Sequence, residues 1–259
     1  MLQRNYLRIF LSVQKALFLR ELNMRFSVSR IGLFWTFFQP FFQVLLFVLI
    51  KVFLFGRSSE NFDFAVFLAL NFTAFNMFKN IINKSMGAFT ANRGLFVYKQ
   101  VKPIDTVIAR SMVEVFITGI IILIFIMIGF YFQFDMHVKN LGMLSLGFIW
   151  LIIFSFSLAL CLAVANTFVN SVSKVVGFLM YALIFGSALF YTVDMLSPEL
   201  QTIILYNPLT HFMEMIHGSY FYTLDIKHVD SVYMMFWTIS LMFIGLWFYM
   251  KLEKKIVSL

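Results

Sequence analysis

The chain has 259 residues, of which 61% are hydrophobic and only 12% charged, with a mean hydropathy of +0.89, and this excludes an ordinary water-soluble globular domain. The formal charge of +8 does not mark a nucleic-acid binder, because the basic residues collect at the ends of apolar runs and no soluble basic domain accompanies them. The only cysteine, Cys161, lies inside an apolar run, so an internal disulfide and a multi-cysteine metal site are excluded and the residue reads as small packing.

Residues 1–30 carry Arg4, Arg8, Lys15, Arg20, Arg25 and Arg30 and no short apolar core followed by a small-residue cleavage site, which is not the pattern of a signal peptide. At about 100° per residue, Arg4, Arg8, Ser12 and Lys15 share one arc, and Tyr6, Phe10, Val13 and Leu17 oppose them. This predicts an amphipathic interfacial helix on the cytoplasmic membrane surface. Crossing a bilayer core of roughly 30 Å takes about 20 apolar residues. Six segments have that length and composition, at about 33–55, 62–82, 106–134, 141–164, 175–193 and 232–250. Residues 31–259 therefore read as one all-α membrane domain of six transmembrane helices. Residues 194–231, between the last two spans, are amphipathic, and Ser197-Pro198 and Asn207-Pro208 predict the starts of two short re-entrant or interfacial helices.

Lys and Arg in the connections divide fourteen to three between the two sides. The positive-inside rule then puts both termini in the cytoplasm and residues 194–231 outside. The chain has no Gly-Lys dipeptide, so the loop that cradles nucleotide phosphates is missing and ATP would have to bind on another chain.

Several polar groups stand out against this apolar background. The connection at 84–105 contains an Asn92-Arg93-Gly94 turn, the aromatics Phe96 and Tyr98, Lys99 and Lys102, and Pro103 opening the next helix. Aromatic anchors rimmed by charge suit docking on a soluble partner, and equally suit contact with lipid headgroups. In the second span Asn76, Lys79, Asn80 and Asn83 fall within one arc, as a conduit-facing stripe or as groups snorkelling to the boundary. Arg110 and Glu114, four apart on the third span, are spaced to neutralise one another. Ser155, Ala159 and Ala163 give the fourth span a small-residue stripe for close helix approach. Trp35 and Tyr131 offer flat faces to sugar rings or sit in an aromatic belt. His211, Glu214 and His217 lie three apart, and the two histidines diverge by about 120°, unlike the i, i+4 histidines of a zinc peptidase. No catalytic, cofactor or metal site is expected.

The run ANRGLFVYKQVKPIDTVIAR, residues 91–110, resembles the corresponding loop of capsular polysaccharide export permeases of the KpsM type, within the ABC type-2 transporter permeases. FLRELNMRF (18–26), Gly32 and Trp35 at the start of the first span, and NPLTHFME (207–214) extend the resemblance over essentially the whole chain. It implies a permease working as a homodimer with two copies of a cytoplasmic ABC ATPase, which would bind ATP and Mg. Asn92, Arg93, Gly94, Phe96, Tyr98, Lys102 and Pro103 would form the ATPase-coupling loop. The resemblance also implies a lipid-linked acidic polysaccharide as cargo, handed on to periplasmic and outer-membrane export proteins from a bacterial inner membrane. Under this reading Arg20, Glu21, Arg25 and Arg30 mark the cytoplasmic entrance, and Trp35, Asn76, Lys79, Asn83, Arg110 and Glu114 mark the conduit. Asn207, Pro208, His211 and Glu214 belong to periplasmic gate helices. The chain has Gln39 where an acidic residue is expected and His217 where Arg often follows the NPL-H-E segment, so ion pairs at those positions are not carried over. The alternatives are export of another lipid-linked polymer (O-antigen or teichoic acid), a membrane enzyme acting on lipid or glycan through His211 and Glu214, and a scaffold that forms no path.

Overall fold

The computed structural model describes residues 6–27, 30–55 and 63–258; Arg4, Arg57 and the side chain of Arg30 lie outside the described residues. Among the described residues all regular structure is helical: α1 (Tyr6–Ser27), α2 (Arg30–Phe55), α3 (Phe64–Met86), α4 (Ala88–Ala91), α5 (Pro103–Tyr131), α6 (Leu141–Phe168), α7 (Ser171–Phe185), α8 (Pro198–Leu205), α9 (Pro208–Tyr220) and α10 (Ser231–Ser258). Single 3-10 turns occur at Arg93–Leu95 and Val193–Met195.

Local sequence explains most helix starts. Asp63 accepts from the Ala65 amide at 3.3 Å to open α3, and Asn140 accepts from the Met143 amide at 3.0 Å to open α6. Pro103 occupies the first turn of α5, where its missing N–H costs nothing, and Asp105 reaches back to the Lys102 amide at 2.8 Å. Both short helices of the 194–231 region begin at the expected prolines, Pro198 and Pro208.

Among the described residues five helices, in α2, α3, α5, α6 and α10, are long and apolar enough to cross a membrane. The apolar segment at 175–193 behaves differently. α7 is a 15-residue helix, about 22 Å long at 1.5 Å per residue and short of the roughly 30 Å core. It stops because Gly186 and Ser187 leave the helix and Ala188 adopts φ 54°. Asn207 stabilises the reversal by donating through Nδ2 to the Gly186 carbonyl at 2.7 Å and to Ser187 Oγ at 2.9 Å.

α3 lies at the centre, packed against α2, α5, α6 and α9. Phe67, Phe72, Phe75 and Phe78 are fully or almost fully buried along it. Phe78 stacks on Phe154 of α6 (centroids 5.9 Å), and Phe154 stacks on Phe212 of α9 at 4.9 Å. Lipid tails are as apolar as these rings, so close dispersion contact rather than escape from water holds the helices together. Ser155, Ala159 and Ala163 are fully buried within this chain, which assigns the small-residue stripe to intramolecular packing. α6 makes its most extensive contact with α10. A Cβ on Gly245 would lie 3.1 Å from Cys161 Sγ and 3.3 Å from the Cys161 backbone nitrogen. Gly245→Val is therefore expected to push α10 off α6 and cost about 1–3 kcal/mol, read as a lower thermal midpoint in detergent, with Gly245→Ala milder.

α1 only partly follows the expected amphipathic pattern. Arg8, Ser12 and Lys15 are exposed, but so are Tyr6 and Phe10. The face that packs on the domain begins at the buried Gln14 and Leu17, and α5 is its main partner.

Candidate functional site

α1, the α3–α5 connection and the start of α5 are joined by a polar network. Gln14 Nε2 donates to Asp105 Oδ1 at 3.1 Å. Arg20 donates to Glu21 at 3.2 Å and also to the Asn92 side-chain oxygen, while Asn92 Nδ2 holds the Ala88 carbonyl at 2.8 Å. Arg110 donates to the Lys84 carbonyl at 2.5 Å and its Nε lies 3.4 Å from Glu21 Oε1. Arg25 pairs with the buried Glu114. The expected Arg110–Glu114 neutralisation is thus replaced by two ties to α1: Arg110 goes to Glu21 and Glu114 to Arg25. Arg20, Glu21 and Arg25, expected near the cytoplasmic entry, clamp α1 to the body of the protein.

The connection itself divides into an anchored side and an exposed edge. Asn92, Phe96 and Pro103 are buried, whereas Arg93, Gly94, Val97, Tyr98, Lys99 and Lys102 are exposed. Phe96 and Tyr98, paired in the sequence as aromatic anchors, therefore point to different environments. Beneath the edge, Ala88, Phe89, Val107, Ala163, Tyr249 and Ile256 pack as one cluster, which ties the loop mechanically to α5, α6 and α10.

The polar stripe on α3 is also divided. Asn76 and Asn80 line a cleft of about 170 Å³ between α2, α3 and α5, with Thr73, Lys84, Gln39, Thr36 and Thr118 around them. Lys79 is half-buried outside that lining and Asn83 is exposed. Neither Arg110 nor Glu114 lines the cleft, although Arg25 does. Trp35 and Tyr131 are exposed, at 53% and 82%, on different helices, and Trp35 packs against Phe38 at 5.9 Å. The structure does not gather the six expected conduit residues into one site. The sequence reading passed over Thr73, Thr118 and Asn71, whose only signal was a polar group within an apolar span.

On the opposite side, α9 is buried along nearly its whole length. Glu214 Oε1 accepts from the Val193 amide at 2.8 Å and lies 3.1 Å from His217 Nε2. Asn71 Nδ2 donates to the Leu189 carbonyl at 3.2 Å, which turns its oxygen toward His217 Nδ1 at 3.3 Å. Nδ1 then donates to Asn71, and Nε2 faces the Glu214 carboxylate. His211 is likewise enclosed, with Nε2 2.9 Å from the Leu205 carbonyl and Nδ1 3.0 Å from that of His228. This wiring pins α9 to α3 and to the turn after α7, and leaves neither His211 nor Glu214 open to a substrate.

An exposed tie joins the Val193–Met195 turn to the α9–α10 connection. Asp194 meets Lys227 Nζ at 2.7 Å and His228 Nε2 at 2.8 Å. The Lys227 ammonium, followed by His228, holds the Asp194 carboxyl below its ordinary value despite partial desolvation, and Asp194 raises Lys227. A depressed carboxyl contributes above the unfolded value of about 3.9 and loses its contribution as pH falls through the lower folded one. A raised lysine contributes below about 10.4 and loses its share as pH rises through its higher folded value. Asp194→Asn is expected to lower the thermal midpoint between about pH 5 and 9 and to converge with the wild type in stronger acid, as paired melts across pH would show.

The family model described as ABC-2 type transporter matches residues 13–221. The polysialic acid transport protein KpsM of Escherichia coli is 32% identical over 248 residues, covering 94% of this chain and 95% of the relative. The capsule polysaccharide export inner-membrane protein CtrC of Neisseria meningitidis serogroup B is 26% identical over 245 residues, 92% and 90% of the two chains. BexB of Haemophilus influenzae, also a capsule polysaccharide export inner-membrane protein, is 25% identical over 235 residues, 90% and 88%. An all-helical multi-pass domain with a small buried loop anchor and an exposed basic and aromatic edge, matched over most of its length by such relatives, belongs to the ABC-2 type transporter family.

Proposed function

We propose that this chain is the membrane-spanning subunit of an ATP-driven exporter that carries a lipid-linked capsular polysaccharide across the bacterial inner membrane. The observation that carries the reading is similarity over 94% of the chain to a polysialic acid transport protein, supported by two capsule polysaccharide export relatives. Both termini face the cytoplasm, in keeping with the charge asymmetry of the connections. The exposed edge of Arg93, Gly94, Val97, Tyr98 and Lys99 then faces a soluble ATPase, while Asn92, Phe96 and Pro103 transmit its movement inward. Asn207, Pro208, His211 and Glu214 hold the outer re-entrant pair in place rather than performing chemistry. Two copies of the chain enclose the path, with one ATPase on each.

The test is the location of polymer in cells lacking the gene, complemented with wild type or with an Arg93→Ala/Tyr98→Ala variant. The expected result is intracellular polymer in the deletion and the variant and surface polymer only with the wild type, at equal membrane levels of the two proteins. Normal surface polymer in the deletion strain would overturn the capsule assignment. Normal surface polymer with the variant alone would overturn the coupling role of the loop edge.

A further inference from the structure

The cleft between α2, α3 and α5 is roomy and mostly polar. Its volume of about 170 Å³ is more than ten times the roughly 10–15 Å³ that one water needs. Pro40 lies in its wall inside α2. A proline has no N–H, so the Thr36 carbonyl one turn back loses its helical donor, and Thr36 is also in the wall. Across the cleft, Asn76 donates through Nδ2 to Gln43 at 3.1 Å, but its Oδ1 is buried without a donor. Thr73, Asn80 and Thr118 complete a largely polar lining, which suits a hydroxylated ligand.

The mouth has the opposite demand. Lys84 has no carboxylate partner among the described residues, and it lies in the field of Arg25, Arg110 and Glu114. Of the charged residues only Arg25 and Lys84 line the cleft; Arg25 is matched by Glu114, which leaves Lys84 in excess, and no acidic residue is in the lining. The surplus is positive and suits an anion. Beyond Gln39, Leu46 and Ile50 follow at seven and eleven residues on the same arc of α2, both about 40% exposed. They form an apolar track leading from the cleft toward the middle of the bilayer.

We propose that this cleft seats the headgroup of one anionic phospholipid of the surrounding bilayer, its phosphate at Lys84 and Arg25, its hydroxylated alcohol among the polar side chains of Thr36, Asn76 and Asn80, and its acyl chain along Leu46 and Ile50. The cleft holds a headgroup rather than a length of chain, and the site is independent of which polymer the protein exports.

The experiment is native mass spectrometry of the full-length protein in detergent, titrated with dioleoyl phosphatidylglycerol or dioleoyl phosphatidylcholine. Wild type is expected to retain the former and not the latter. Lys84→Ala should weaken phosphatidylglycerol binding about tenfold, Asn76→Leu should weaken it several-fold, and Lys84→Arg should stay within about twofold of wild type. Equal retention of the two lipids by the wild type, or unchanged binding by Lys84→Ala, overturns the proposal. Lys84 is exposed near the end of α3, so its Ala and Arg variants decide the matter even where Asn76→Leu fails to fold. Protein purified from cells with and without polymer synthesis separates the sources. Lipid retained in both supports a bilayer phospholipid, and lipid retained only from polymer-making cells overturns that assignment in favour of the cargo.

Discussion

Replacing Glu114 by Ala is expected to destabilise the protein by about 3–5 kcal/mol. The side chain of Glu114 is 3% exposed, and it pairs with Arg25 across the contact between α1 and α5. Its removal leaves the Arg25 guanidinium facing Lys84 and Arg110 with no nearby carboxylate except Glu21, which is already engaged by Arg20 and Arg110. Removing both partners with apolar groups of similar size avoids an orphaned charge, so Arg25→Met/Glu114→Met is expected to regain most of the loss. Thermal unfolding in detergent of the two single variants and the double variant reads this directly. A double variant no more stable than the weaker single would show that the two residues do not act as a pair.

Glu214→Ala is expected to have a comparable effect by another route, about 2–5 kcal/mol. It strips the Val193 amide of its acceptor and His217 of its partner at once, within a site whose side chains are 0–2% exposed. Glu214→Gln keeps an acceptor for Val193 while removing the carboxylate charge, and about half that loss is expected. The readout is limited proteolysis of the 186–196 turn together with the thermal midpoint. The turn should become cleavable in Glu214→Ala well below the temperature at which the spans separate. Equal resistance in Glu214→Ala and wild type would mean that the Asn71, Asn207 and Asp194 contacts hold the turn without Glu214.

Features governed by local chemistry were legible in the sequence. Apolar length marked the spans, and the prolines at 198 and 208, preceded by Ser197 and by the capping Asn207, marked the starts of α8 and α9. The end of α7 was hidden because the run through Gly186, Ser187 and Ala188 stays apolar enough to read as a continuing span. Its reversal depends on Asn207, some twenty residues later. The spacing of Arg110 and Glu114 pointed to a local pair because sequence distance cannot weigh a neighbouring helix, and α1 supplies stronger partners to both. On α3 a four-residue step from Asn76 through Asn80 to Lys84 stays on the cleft, while Lys79 and Asn83 rotate away from it. A single arc drawn from periodicity merges these two directions. The loop at 84–105 was visible as a unit, but the separation of a buried Phe96 from an exposed Tyr98 needed the tertiary fold.

The buried polar chain of α9 also bears on how the protein is made. A 13-residue helix carrying His211, Glu214 and His217 cannot enter hydrocarbon by itself, where a charged residue at mid-helix costs about 2.5–3.5 kcal/mol on insertion scales and an unpaired polar group costs several more. Its partners are Asn71 on α3 and the packing face of α6, both synthesised earlier in the chain. The order of synthesis then predicts that α9 docks into a groove α3 and α6 have already formed, with α10 packing on it afterwards. Substitutions that fill that groove are therefore expected to shorten the lifetime of newly made protein, as a pulse-chase would read, rather than to slow an assembled transporter.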